Sequence, residues 1–186
     1  MKKAAVLVLC LVCLTGCSSS NTEIQRGMAL RSKLLQAESC TFDADITADY
    51  GDELHRFSMS CKADAKGELT FTVIAPETIA GIAGTIDDEG GKLTFDDVAL
   101  HFELLADDQL SPVSAPWVLL KTLRSGYLTS AGMEDALLRL SIDDIYDEDA
   151  LHLDIWLDKE DIPQRAEIVY DGKRILSLIV KSFAIS

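Results

Sequence analysis

Phe42-Asp43-Ala44-Asp45-Ile46-Thr47-Ala48-Asp49 alternates apolar and polar residues without a break, and Phe57, Met59 and Cys61 resume the same alternation after Tyr50-Gly51-Asp52. A period of two marks a strand with one dry face and one wet face. Two such runs across a short glycine-containing turn read as a β-hairpin. Every further element is read against this pair.

The register of the hairpin decides how its cysteines meet. A fold about Tyr50 and Gly51 sets Cys40 directly opposite Cys61. A turn centred one residue later makes them diagonal neighbours on the same face, because alternation forbids a slip to the other face. The spacing is compatible with a Cys40–Cys61 disulfide, as befits an exported chain, or with two buried thiols.

Downstream, Leu69, Phe71 and Val73 alternate with threonines until Pro76, which lacks a ladder donor and ends the pattern. Ile79 to Ile86 is apolar and broken by glycine, which makes it the expected place for an exposed apolar patch. After the turn Asp88-Glu89-Gly90-Gly91 come runs at Lys92 to Phe95 and Val98 to Leu104. Ser111 to Ser114 breaks the sheet, and Ser114 is the expected cap of a helix with Pro116 in its first turn and Val118, Leu119, Leu120 and Leu123 along it. The last third reads as a meander of four strands at Leu137 to Asp143, Leu151 to Asp158, Arg165 to Asp171 and Ile175 to Ile185. The final strand is apolar on both faces and calls for a covering helix layer. Upstream, Ile24, Met28, Leu34 and Leu35 recur at helical spacing up to about Glu38, with Asn21 or Thr22 as the expected cap. Eight or more antiparallel strands with two or three helices form an α+β fold: a large twisted sheet with helices packed on one side.

The amino terminus carries a different message. Lys2 and Lys3 precede the apolar run Ala4 to Val12, and Leu14-Thr15-Gly16-Cys17 closes it with the spelling of a bacterial lipobox. The expectation is a signal peptide over residues 1–16, a polar tether over 17–22 and a single domain over 23–186. Cys17 is then the lipidated first residue of an extracytoplasmic protein held to the cell membrane. The alternative is a plain secretory signal cut near Gly16. Cys10 and Cys13 leave with the signal, so their spacing carries no redox or metal meaning.

Charge narrows the partners. Of 17 basic residues, cleavage removes Lys2 and Lys3, leaving 15 against 31 acidic ones and moving the formal charge from -14 to -16. Such a surface repels nucleic acid and anionic headgroups, so attachment falls to the lipid and charged partners are expected to be basic. The chemistry of catalysis is thin. His55, His101 and His152 lie on separate strands without metal-site spacing, there is no nucleophile elbow, and Asp87-Asp88-Glu89, Asp143-Asp144, Asp147-Glu148-Asp149 and Glu160-Asp161 lack the calcium-loop pattern and read as turns. No metal or cofactor is expected.

The order of elements resembles the LolA/LolB-like lipoprotein-localisation fold. The resemblance rests on the helix Ile24 to Glu38 leading into a strand at Thr41, the strand end Ala75-Pro76 before Ile79-Ala80-Gly81, the Ser114-Ala115-Pro116 helix, and Leu157-Asp158-Lys159-Glu160-Asp161-Ile162-Pro163 followed by two strands. It implies an unclosed half-barrel with helices on its concave face and binding without catalysis, while the likeness of the lipobox to those of bacterial lipoproteins implies a diacylglycerol and an acyl group on Cys17. Among lipid-anchored members the chain looks most like Gram-positive lipoproteins, including a germination group that partners a cell-wall amidase. It also implies an apolar cavity, which Phe42, Ile46, Phe57, Met59, Phe71, Val73 and Phe95 line, or alternatively fill as a dry core. The expected function is a non-catalytic binding or adaptor module for a partner protein or an acyl-bearing ligand. An envelope enzyme and a purely structural assembly protein are the alternatives. A cleft holding a histidine and carboxylates with perturbed ionisation would mark the enzyme.

Overall fold

The computed structural model describes residues 19–95, 98–106, 109–145 and 151–186. The lipobox, Cys17 and the acidic run at 147–149 lie outside them. The chain opens with helix α1 (Ser19–Gln36), so residues 19–22 of the expected tether are already helical and neither Asn21 nor Thr22 begins the helix. Strands β1 (Ser39–Asp49), β2 (Leu54–Asp64), β3 (Leu69–Ala75), β4 (Ala83–Asp87), β5 (Gly90–Phe95) and β6 (Val98–Phe102) follow, then the short pair β7 (Leu105–Ala106) and β8 (Gln109–Leu110). A 3-10 turn at Pro112–Ser114 leads into helix α2 (Ala115–Ser125), and β9 (Tyr127–Glu134), β10 (Leu137–Asp143), β11 (His152–Leu157), β12 (Pro163–Tyr170) and β13 (Lys173–Ile185) complete the chain.

Eleven strands form one sheet in the order β6-β5-β4-β3-β2-β1-β13-β12-β11-β10-β9. The ladders between these neighbours are antiparallel, and the sheet closes only at its middle, where β1 pairs with the last strand, β13. β6 and β9 are left as its two edges. One face is dry throughout. Phe42, Ala44, Ile46 and Ala48 from β1 continue across the sheet as Leu176, Leu178 and Val180, then Ala166 and Ile168, then Leu153, Ile155 and Leu157, then Leu138, Leu140 and Ile142, all buried. This alternation, read from the sequence, is what makes the sheet one-sided.

The helices lie on that dry face. α1 rests on β9 and β10, and α2 on β10, β12 and β13. α1 buries Gly27, Leu30 and Leu34; of the expected set Leu34 is buried, while Ile24, Met28 and Leu35 are exposed. Gly27 explains the rotation: a β-carbon there would sit 3.0 Å from Leu140 Cδ1, so the missing side chain lets the helix settle on β10. Arginines then fix the helices. The Arg31 guanidinium donates to the carbonyls of Leu123 and Gly126 at the end of α2, at 2.7 Å each. Arg26 donates to the Asp161 carboxylate and to the Asp158 carbonyl, both at 2.8 Å. Ser114 does not cap α2 with its side chain; its hydroxyl donates to the Ser111 carbonyl one turn back.

Two further expectations are corrected and one is met. β9 was not expected, because Tyr-Leu-Thr-Ser-Ala-Gly-Met-Glu has no alternation and its burial has none either. The helix layer expected over the last strand is present: α2 packs on β13, where Leu176 and Leu178 are buried, while Ile179 on the other face is exposed. Ile79 and Ile82 pack against the core as partly buried residues, so the segment Ile79 to Ile86 is not an exposed patch.

The observed hairpin register pairs Asp49 with Leu54, Phe42 with Cys61 and Cys40 with Ala63. Cys40 and Cys61 are therefore diagonal neighbours, and both are buried free thiols in the structure. Burial pushes the Cys40 thiol up to about 12 and raises Cys61 further, which makes both poor nucleophiles.

Candidate functional site

The seven residues expected to line a cavity share the dry face, as alternation requires, but they divide into two groups. Phe42, Ile46, Phe57, Met59, Phe71 and Val73 are all buried in one continuous core. A hollow wide enough for an acyl chain would leave their surfaces reachable by a water-sized sphere, and they are not. These six fill the interior and do not line an open groove. Phe95 is the exception, at 47% exposed.

The surroundings of Phe95 form the candidate site. Register carries the dry face outward from Phe71 to Gly84, from Gly84 to Leu93, and from Leu93 to Leu100, with Phe95 beside Val98 on the β5–β6 hairpin. Val98 is 60% and Leu100 62% exposed, whereas their counterparts on the central strands are at most a few per cent exposed. The reason is the position of the helices, whose principal contacts are with strands of the other half of the sheet. β4 to β6 thus continue the core face beyond its cover. Gly84 holds this flank close to the centre: a β-carbon on it would lie 2.3 Å from the Lys92 carbonyl and 2.7 Å from the Phe71 ring. Leu93 and Phe102 are partly buried where the flank joins the core.

The flank ends at an edge strand. β6 pairs with β5 and has no ladder partner on its other side among the described residues. A bare, apolar edge is an invitation to pair with another extended segment. On the wet side of the same strands Thr85, Lys92 and His101, with Asp87, Glu89 and Glu103, line a shallow depression of ≈ 560 Å³. Carboxylates outnumber cations there, so the edge complements a basic partner better than an acidic one.

A second constellation occupies the convex face over β9 to β12. The Arg139 guanidinium grips the Asp154 carboxylate in two places, at 3.0 Å through Nε and 2.7 Å through Nη2. The Ser141 hydroxyl donates to the same carboxylate at 2.6 Å. His152 lies between Asp143, 2.6 Å away, and Asp154, 3.4 Å away. Glu134 ties Arg139 to Arg165, and both guanidiniums stack on Trp156, that of Arg165 at 4.0 Å from the ring centre.

Here a histidine and carboxylates are in contact, and Glu134, Arg139 and Ser141 line a shallow depression of ≈ 320 Å³ beside them. Burial works to raise the Asp154 pKa, but hydrogen bonds from Arg139 and Ser141 and the nearby His152 and Arg139 charges bring it below the usual carboxylate value. Asp154 is thus a weak base. The Ser141 hydroxyl donates to that weakly basic carboxylate and not to a histidine. The cluster covers Trp156 and ties four strands together. His55 and His101 are exposed and distant from it in the sheet. Among the described residues no group of three or more His, Cys, Asp or Glu side chains is placed to hold a metal ion. Two of the acidic runs form turns, where Asp87 accepts from the backbone N–H of Glu89 and Asp158 from those of Glu160 and Ile162, whereas Asp143 lies in β10.

The structure has the expected α+β class: an unclosed antiparallel sheet with helices against its dry face. No family model matches the chain, and no curated protein does. Similar solved structures include an uncharacterized conserved protein from Thermus thermophilus, at 11% identity over 88% of this chain and 87% of that one with a TM-score of 0.48. A putative outer membrane lipoprotein-sorting protein domain from Vibrio parahaemolyticus is 10% identical over 86% and 91%, with a TM-score of 0.46. A LolA superfamily protein from Nitrosomonas europaea is 8% identical over 86% and 93%, with a TM-score of 0.44.

Proposed function

We propose that this protein is an extracytoplasmic adaptor, anchored through acyl chains on Cys17, that binds an extended, apolar and basic segment of a partner protein along the β5–β6 flank without catalysing a reaction. The observation that supports it is the bare run Phe95, Val98 and Leu100 on the core face of the sheet, next to an unpaired edge strand. A segment added to β6 would satisfy its outward backbone groups and cover these three side chains in one step. The solid packing of Phe42, Ile46, Phe57, Met59, Phe71 and Val73 favours this reading over storage of an acyl chain inside the half-barrel. The anchor rests on the lipobox ending at Cys17.

Native mass spectrometry of the protein extracted gently from its own membranes, beside the variant Leu100→Asp, tests the reading. A polypeptide that travels with the natural protein and is lost from the variant supports it. A co-travelling lipid in place of a polypeptide transfers the flank to acyl chains, and bare protein in both samples counts against a binding role.

A further inference from the structure

We infer that α1 lies against the membrane, with Ile24 and Met28 in the boundary between headgroups and acyl chains, and that the β6 edge is thereby turned away from the bilayer. This rests on the lipid anchor proposed above. Ile24 and Met28 are one helical turn apart and are 40% and 46% exposed, although their neighbours Gly27, Leu30 and Leu34 are buried against the sheet. They form an apolar shoulder on the amino-terminal half of the helix, which Leu35 extends at the other end.

Three observations identify the bilayer as what covers this shoulder. The first is covalent. Only Ser18 separates Cys17 from the first helical residue, Ser19. Two residue steps reach about 7 Å at full extension, so acyl chains on Cys17 place the start of α1 at the membrane surface whatever path the link takes. The second is charge. α1 carries Arg26, Arg31 and Lys33 against Glu23 alone, while residues 37–186 hold 12 basic and 30 acidic residues. Asp161 matches Arg26 and the end of α2 holds Arg31, which leaves exposed Lys33 to offset Glu23, so the helix carries no net negative charge while the body does. An anionic bilayer therefore repels the body and accepts the helix. The third is position. α1 packs on β9 and β10, at the opposite edge of the sheet from β6, with ten strand spacings between the two edges. Contact through α1 leaves the apolar flank facing outward, where a partner can reach it.

The test places a nitroxide on Met28→Cys and, separately, on Leu100→Cys, in acylated protein bound to vesicles of phosphatidylglycerol and phosphatidylcholine. The unsubstituted protein, with only its buried thiols, serves as the labelling control. Collision with oxygen is expected to dominate relaxation at position 28, and collision with a water-soluble nickel complex at position 100. Nickel-dominated relaxation at both positions, in protein that still floats with the vesicles, overturns the inference and leaves the anchor standing. Protein that neither floats nor carries acyl mass on its amino terminus removes the anchor and the inference together.

Discussion

The two halves of the sheet are built from the same kind of strand and end differently. Over β9 to β13 the dry face is closed by α1 and α2, and Leu138, Leu140, Leu153, Ile155 and Leu178 are buried. Over β5 and β6 the same face is bare, and Phe95, Val98 and Leu100 stand in solvent. Alternation specifies which side of a strand is apolar; it does not specify whether anything covers that side. In one half the apolar face is closed against helices, and in the other it is exposed.

That contrast can be broken by truncation. Leu140→Ala, in the covered half and under the Gly27 contact, is expected to cost about 2–5 kcal/mol through lost burial and a residual cavity, read as a lowered urea midpoint. Asp154→Ala, on the convex side of the same half, strips Arg139 and Ser141 of their shared acceptor and is expected to cost about 2 kcal/mol. The sign with pH follows. Because the Asp154 pKa is depressed in the folded protein, its contribution is complete above the unfolded-chain value of about 4 and is lost as pH falls through the lower folded value. Unfolding curves between about pH 5 and 2 are expected to be flatter for Asp154→Asn than for the natural protein.

Glycines sharpen the comparison. Gly84→Ala in the open half drives a methyl group into the Lys92 carbonyl and the Phe71 ring, and is expected to cost about 1–3 kcal/mol. Gly132→Ala in β9, where nothing lies within 4 Å of the added atom, is expected to stay within about 0.5 kcal/mol of the natural protein in the same assay. The smallest stability change belongs to the flank. Leu100→Asp is expected to move the thermal midpoint by no more than a surface substitution does, within about 0.5 kcal/mol, while abolishing partner retention. A large loss of stability there would show that the flank is part of the core.

The diagonal placement of Cys40 and Cys61 bears on the same half. Diagonal positions on paired strands lie about 7–8 Å apart between α-carbons, at or beyond the limit for a bridge. Alkylation of the unfolded, unreduced protein is expected to modify both residues. A Cys40–Cys61 bridge in that experiment would show that β1 and β2 shift from the register of the structure.

Much of the architecture was legible in the sequence because period-two burial leaves a direct trace. Phe42 to Ala48, Phe57 to Cys61 and Leu69 to Val73 named their strands and their dry face. β9 left no such trace, since Tyr127 to Glu134 lies at an edge where neither face is fully buried. The buried face of α1 was misread because a glycine, not a large apolar side chain, marks its closest approach to the sheet. Phe95 was recognised as part of the site, but Val98 and Leu100 were not, because their exposure depends on where the helices stop and no local pattern records that. The convex lattice around Trp156 was equally hidden: Arg139, Asp154 and Arg165 come from three strands, and only register brings them together. Charged residues facing each other across adjacent wet faces were the one available signal.

The most direct test of the account is photocrosslinking in living cells, with a photoreactive amino acid in place of Leu100 and, for comparison, in place of Gly132 at the opposite edge of the sheet. The expected result is a discrete protein adduct from position 100 and none from position 132. An absence of adducts at position 100, in protein that is folded and in the membrane fraction, would contradict the claim that the bare flank is where this protein binds its partner.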